Sequence, residues 1–223
     1  MTRALCIAIV GAESTGKTAL AQALAERLAA DTGLKTTWVP EWLRQWCEHL
    51  GRTPLAHEQP AIMLAQHERI EAAAATHGLV VCDTTALMTA VYSRWVFGDR
   101  SLEAHAAQLH RRMDISLLTA LDLPWVADGL QREGPQVREP VDRLLRELLT
   151  THRLPFALVG GRGCARLQAA VAAVAPLLRE RVAVDRDPFS RRGHRTQGDA
   201  ARAGRCQGCE DPACAQRQRR STP

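Results

Sequence analysis

The sequence predicts an α/β protein in which helices cover both faces of a five-stranded, mostly parallel sheet. Five short apolar runs of the kind that form buried strands are separated by stretches with apolar residues at helical spacing. Alternation of strands and helices favours a parallel sheet with right-handed crossovers. The predicted strands are 5–10, 34–40, 79–83, 115–120 and 156–160, and the predicted helices are 17–30, 57–77, 85–97, 139–151 and 164–181.

The length and the distribution of charge predict one folded domain with an appendage. A chain of 223 residues, 46% of them hydrophobic, can build one α/β domain with a substantial core. The net charge of +5 arises beyond residue 185, where nine arginines accompany four acidic residues and few apolar side chains. We therefore expect a domain over 1–185 and a basic, Cys-containing, flexible tail over 186–223.

Composition also indicates the compartment. No apolar stretch approaches the roughly 18 residues needed to cross a bilayer, and the apolar run at the N-terminus is too short for a secretory signal. The seven cysteines are an odd number, and four of them are scattered, so they do not suggest a disulfide framework. The sequence predicts a cytoplasmic protein that does not interact with membranes.

Residues 11–18 read GAESTGKT and match the Walker A pattern G-x-x-x-x-G-K-[ST] in full, between a predicted strand and a predicted helix. The glycines let the backbone curl so that N–H groups point at phosphate oxygens, and the helix adds its positive end. We expect Lys17 to reach the β- and γ-phosphates of ATP, and the Thr18 hydroxyl to bind magnesium. This predicts the P-loop NTPase fold, with ATP bound by Gly11, Glu13, Ser14, Thr15, Gly16, Lys17 and Thr18.

Asp83 ends the third predicted strand, at the edge of the sheet where parallel strands place their ligands. A carboxylate at this point would hold magnesium directly or through water. The alternative is that Asp83 caps the helix that follows it.

Two further segments carry residues suited to phosphate transfer. Glu41 and Arg44 follow the second strand and share a face of a helical turn, where they could bind or deprotonate a hydroxyl and neutralise phosphate. Their alternative role is a surface ion pair. Residues 125–138 contain glycines, a proline and charges, and predict either a mobile lid carrying Arg132 or Arg138, or an ordinary connecting loop.

Five segments of the chain share their order and spacing with one known family: GAESTGKTAL, VPEWLRQW, VVCDTTALMTA, DISLLTALDLPWVADGLQREG and LPFALVGG. They resemble the ribosylnicotinamide kinase (NadR-type) family of P-loop kinases, among AAA-type ATP-binding proteins, over roughly residues 5–176. The resemblance implies that ATP phosphorylates the 5′-hydroxyl of nicotinamide riboside, in NAD biosynthesis. For this reaction we expect catalytic roles for Lys17, Asp83, Glu41, Arg44, Arg132 and Arg138, with Glu41 or Asp83 as the base.

The sequence departs from the family pattern at three positions. Thr85 and Gln45 stand where the family has acidic residues, and Gln131 stands where it has an arginine, with Arg132 next to it. These departures concern the acceptor more than ATP, and the expected acceptor is a nucleoside-like small molecule. The competing interpretation is a regulatory P-loop ATPase without an acceptor, which would need neither Glu41 nor a lid.

The tail contains the only clustered cysteines of the sequence. Cys206, Cys209 and Cys214, with His194 upstream, could form a zinc site, although the spacing is not a standard zinc pattern. The alternative is a basic tail with incidental thiols that contacts nucleic acid weakly and without sequence preference.

Overall fold

The structure is a computed structural model and describes residues 3–126 and 134–185. Its sheet has five strands in the order β2-β3-β1-β4-β5, and every neighbouring pair is parallel. The predicted α/β class is therefore confirmed, and all five predicted strands form. The strands are β1 (Leu5–Val10), β2 (Thr36–Val39), β3 (Leu79–Asp83), β4 (Ile115–Thr119) and β5 (Phe156–Val159).

The described ranges contain seven α-helices and two short 3₁₀ helices, Ala56–Glu58 and Pro135–Val137. Two of the α-helices, α2 and α5, were not predicted, because eight or nine residues are too few for a clear helical period. The helices are α1 (Lys17–Thr32), α2 (Trp42–Leu50), α3 (Gln59–Thr76), α4 (Ala86–Phe97), α5 (Glu103–His110), α6 (Arg138–Thr151) and α7 (Gly163–Asp185).

The core consists of two apolar layers, one on each face of the sheet. On one face, Ile7 and Ile9 of β1 pack with buried side chains of α1 and α7, such as Leu24 and Val174. On the other face, alternate residues of β1 and β3 pack with α3, α4 and α6. The central strands β1 and β3 are thus buried on both sides, which explains why they read as continuous apolar runs.

The turn after β3 is held by backbone and side-chain hydrogen bonds. Thr84 has a left-handed backbone (φ 67°), and its N–H donates to the Ile9 carbonyl at 3.0 Å. Thr85 caps α4, since its hydroxyl accepts from the N–H of Leu87 at 3.3 Å. The alternative interpretation of Asp83 as the cap of this helix is therefore wrong, and the Asp83 carboxylate remains available for other contacts.

His110 at the end of α5 is buried between two hydroxyl groups. Its Nδ1 lies 2.8 Å from Thr85 Oγ1 and its Nε2 lies 2.7 Å from Ser116 Oγ. Burial lowers the pKa of His110 to about 4, because the imidazolium would lose its hydration. The folded protein therefore holds a neutral imidazole here, and Thr85 is turned towards this histidine.

We expect His110 to make the protein less stable in mild acid. The unfolded chain binds a proton at this residue near the ordinary histidine pKa of 6.5, whereas the folded chain binds it only near a pKa of about 4. Stability therefore falls as pH drops below 6.5, by about 2 kcal/mol between about pH 7 and pH 5. Urea unfolding of His110→Gln should show a shallower pH dependence than the wild type. The exposed His105→Gln on the same helix should keep the wild-type slope, and an equal slope in His110→Gln would contradict the prediction.

Two findings concern the remaining predictions about the chain. Within residues 3–126 and 134–185, no helix is both long and apolar enough to cross a membrane. The tail over 186–223, with the zinc hypothesis for Cys206, Cys209, Cys214 and His194, lies outside the described residues, as do Gln131 and Arg132.

Candidate active site

The loop of residues 11–18 joins β1 to α1 and depends on its glycines. Gly11 has φ 152°, and a Cβ at this position would overlap the hydroxyl of Thr119 on β4. Gly16 has φ 73° and caps α1, where an L side chain would be strained. Both glycines of the Walker A pattern are therefore required by the local backbone.

Hydrogen bonds from β4 fix the base of this loop. The Thr15 hydroxyl donates to the Ala12 carbonyl at 2.8 Å, and Thr119 Oγ1 lies 2.7 Å from Thr15 Oγ1. Thr15 and Thr119 are fully buried. The loop is thus held in one conformation by its own side chains and by the neighbouring strand.

Arg166 in the first turns of α7 holds the other side of the loop. Its guanidinium donates to the backbone carbonyl of Thr15, to the carboxylate of Asp122 and, at 2.8 Å, to the Gly161 carbonyl. Only 4% of Arg166 is exposed, so these bonds are shielded from water. Sequence analysis missed this residue, since nothing near Arg166 in the chain signals that it reaches a loop so distant in sequence.

Lys17, Thr18 and Asp83 meet beneath the loop. Lys17 Nζ donates to the Ala12 carbonyl at 2.8 Å, and the Thr18 hydroxyl donates to Asp83 Oδ2 at 2.6 Å. These residues come together because β1 and β3 are neighbouring strands of the sheet and Ile9 lies opposite Asp83. Burial raises the pKa of Asp83, while the Thr18 hydrogen bond and the charges of Lys17 and Arg44 oppose that shift.

The oxygen atoms at this point fit a magnesium ion. Asp83 is 1% exposed, and its Oδ1 is a buried atom without a hydrogen-bond partner among the described residues. Magnesium is usually bound by only one or two protein oxygens, together with phosphates and water. Thr18 and Asp83 supply such a pair, and no group of three or more His, Cys, Asp or Glu suited to a metal occurs in the described ranges.

Glu41 and Arg44 lie at the start of α2. Glu41 is the N-cap of this helix and Arg44 lies in its first turn, with Arg44 Nε 3.9 Å from Glu41 Oε2. Both residues line the same cleft as Lys17 and Thr18. The pair is therefore available to a ligand bound in this cleft.

The segment 123–126 lies against the phosphate loop from the other side. The backbone N–H of Val126 donates to Ser14 Oγ, and the Ser14 hydroxyl lies equally close, at 2.9 Å, to the Val126 carbonyl. Arg138 donates to the Leu123 carbonyl at 2.9 Å and is 8% exposed. The structure thus places Arg138 behind the segment, outside the residues that line the cleft.

The cleft has a volume of about 1170 Å³, and two chemically different groups of residues line it. Residues 13–18 form the phosphate-binding part of the lining, and Gly11 is buried. The other part of the lining is largely apolar and was not predicted, because its residues come from three separated segments. It is lined by Leu43, Cys47, Pro54, Leu55, Gln59, Tyr92, Val96 and Phe97.

The described residues that depart from the family pattern do not line this cleft. Thr85 is buried against His110, and Gln45 is a half-buried residue of α2 outside the lining. The departures from the family pattern at Thr85 and Gln45 therefore do not change the residues that line the cleft.

Comparison with known proteins agrees with this arrangement. The AAA domain family matches residues 6–166 of the chain. No protein of curated function matches the sequence.

Solved structures share the fold. NadR in complex with NR aligns with a TM-score of 0.64 and 20% identity, covering 78% of this chain and 50% of NadR. NadR in complex with NAD and AMP-PNP aligns with a TM-score of 0.62 and 18% identity, covering 87% of this chain and 52% of that one. The chain thus spans about half the length of these NadR chains.

A smaller enzyme matches over its whole length. Thymidylate kinase from Ehrlichia chaffeensis aligns with a TM-score of 0.55 and 14% identity, covering 79% of this chain and 100% of the kinase. At these identities the alignments show a common fold, and the P-loop NTPase fold predicted from residues 11–18 is confirmed.

Proposed function

This chain belongs to the AAA domain family, and we propose that it is an ATP-dependent kinase that phosphorylates the 5′-hydroxyl of nicotinamide riboside or a related nucleoside. One observation carries the proposal. A single cleft is lined by Lys17 and Thr18, by Glu41 and Arg44, and by a set of apolar side chains. A regulatory ATPase would need only the first of these parts. The structures of NadR with NR and with AMP-PNP support the same choice of ligands.

ATP binding rests on the phosphate loop. The backbone N–H groups of residues 13–18 and the Lys17 ammonium would hold the β- and γ-phosphates, with the N-terminus of α1 adding its positive end. Thr18 and Asp83 would hold magnesium, which when bound neutralises charge on the transferring phosphate. Segment 123–126, fixed by Ser14 and Arg138, limits the movement of the loop.

Phosphate transfer itself requires a base and a cation on the acceptor side. We assign the base to Glu41, since it lines the cleft, whereas Asp83 is almost fully buried and bonded to Thr18. Glu41 would take the proton of the acceptor hydroxyl as its oxygen bonds to the γ-phosphorus and the bond to ADP breaks. Arg44 would stabilise the charge that develops on the phosphoryl oxygens.

The proposal predicts ADP release that depends on the acceptor. Incubation with ATP, magnesium and a panel of nucleosides should give the fastest ADP release with nicotinamide riboside, and the phosphorylated riboside should be detected by mass spectrometry. Because water is a poor substitute for a bound hydroxyl, ATP hydrolysis without acceptor should be slower by about 100-fold or more. One slow rate with every acceptor would refute the kinase and favour the regulatory ATPase.

A further inference from the structure

Gln59, the first residue of α3, has an unusual environment in the wall of the cleft. The side chain lines the cleft and is 4% exposed. Its Oε1 is buried and has no hydrogen-bond partner among the described residues. Buried polar atoms in folded proteins are nearly always paired, so an unpaired amide oxygen in the wall of a ligand cleft points to a ligand.

The turn before Gln59 is held by an ion pair and a backbone hydrogen bond. Arg52 forms two hydrogen bonds with the carboxylate of Glu58, at 2.7 and 2.6 Å, and Glu58 accepts the N–H of Leu55 at 2.7 Å. The Arg52 guanidinium also lies 5.0 Å from the ring centre of Trp46 on α2. The bonds to Arg52 and Leu55 lower the pKa of Glu58 to about 2, so the carboxylate stays ionised. Gln59 therefore follows directly on a turn that its own hydrogen bonds stabilise.

Other residues of the cleft lining suit a flat ring with one polar edge. Leu43, Pro54 and Tyr92 offer apolar surface against which a heterocycle can pack. A ring placed there loses water from its polar edge, which then needs a partner on the protein. A glutamine amide offers one acceptor and two donors, and it matches another carboxamide through paired N–H and C=O groups.

We propose that Gln59 selects acceptors whose ring carries a neutral carboxamide over acceptors that carry a carboxylate at the same position. The proposal rests on the function proposed above and specifies its substrate class. A carboxylate has only acceptor atoms, so it can accept from the Gln59 Nε2 donors but leaves Gln59 Oε1 unpaired. The carboxamide satisfies that oxygen with an N–H.

The test compares nicotinamide riboside with nicotinic acid riboside, which differ only in this group. The wild type should prefer the amide by about 10-fold or more in kcat/KM. Gln59→Leu, which keeps the size of the side chain but removes its polar atoms, should raise KM for the amide by about 10-fold or more and bring the ratio of the two acceptors close to one. KM for ATP should not change in this variant, whereas a general loss of structure would also raise KM for ATP.

Gln59→Glu keeps an oxygen acceptor and should retain or widen the preference for the amide. The matched control is Gln108→Leu, at an exposed glutamine of α5 outside the cleft lining, which should behave as the wild type.

The outcomes separate this inference from the proposed function. A wild type without preference, or an unchanged ratio in Gln59→Leu, overturns the role of Gln59 and leaves the kinase standing. If the wild type phosphorylates neither riboside, the proposed acceptor and the role of Gln59 are both overturned. A carboxylate preference in Gln59→Glu would also contradict the inference, and it can be measured even where Gln59→Leu does not fold.

Discussion

Replacing Lys17 by alanine should abolish phosphate transfer while leaving the fold intact. The ammonium lies inside the phosphate loop, 2.8 Å from the Ala12 carbonyl, where the β- and γ-phosphates of ATP would be bound. Its removal takes away a positive charge that would stabilise the transferring phosphate, and we expect kcat to fall by about 1000-fold or more. Stability should change little, because Lys17 is half-buried beside the loop and belongs to neither apolar layer.

The measurement combines ADP release, calorimetric titration with a non-hydrolysable ATP analogue, and thermal unfolding. Lys17→Ala should bind the analogue weakly and unfold at the wild-type temperature. Lys35→Ala, which changes an exposed lysine beyond α1, is the matched control and should keep full activity. Turnover close to wild type in Lys17→Ala would end the assignment of the phosphate loop.

Asp83→Asn should lower the activity of the protein without lowering its stability. The change keeps the shape of the side chain and an oxygen for the Thr18 hydroxyl, but it removes the negative charge that would hold magnesium. We expect kcat to fall by about 100-fold or more. Burial raises the pKa of Asp83, so the ionised carboxylate costs stability at neutral pH, and the neutral amide should unfold at the same or a higher temperature.

Turnover at increasing magnesium concentration, together with thermal unfolding, checks this prediction. Asp31→Asn, at an exposed carboxylate in α1, should match the wild type in both measurements. A variant that keeps wild-type turnover, or that loses activity because it unfolds, would show that Asp83 has a structural role instead.

The parts of the molecule that could be predicted from sequence are those whose signals are local. The phosphate loop is a contiguous pattern with a strand before it and a helix after it, and the central strands are continuous apolar runs. The parallel order followed from alternation of strands and helices. Short elements such as α5 lack enough residues for a period, and for that reason it was missed.

The rest of the site depends on contacts between distant segments. Arg166 reaches Thr15 because α7 packs beside α1, and Gln59 lines the cleft after a turn that contains the Arg52–Glu58 pair. Arg138 belongs to the segment predicted as a lid, yet its burial and its bond to Leu123 could be recognised only in three dimensions. Residue type and spacing identify candidate groups, whereas tertiary packing decides which of them face the ligand.

The sheet order has a consequence for the synthesis of the protein. β1 pairs on one side with β3 and on the other with β4, so Leu5 meets Leu79 and Ile7 meets Ile115. Contacts between such distant residues form slowly and only after the intervening chain is available. Residues 11–18 leave the ribosome before the strand that carries Asp83 and well before the helix that carries Arg166. A nascent chain therefore contains the complete Walker A motif before the strands that flank β1 are available, and nucleotide binding should follow the pairing of β1 with β3 and β4.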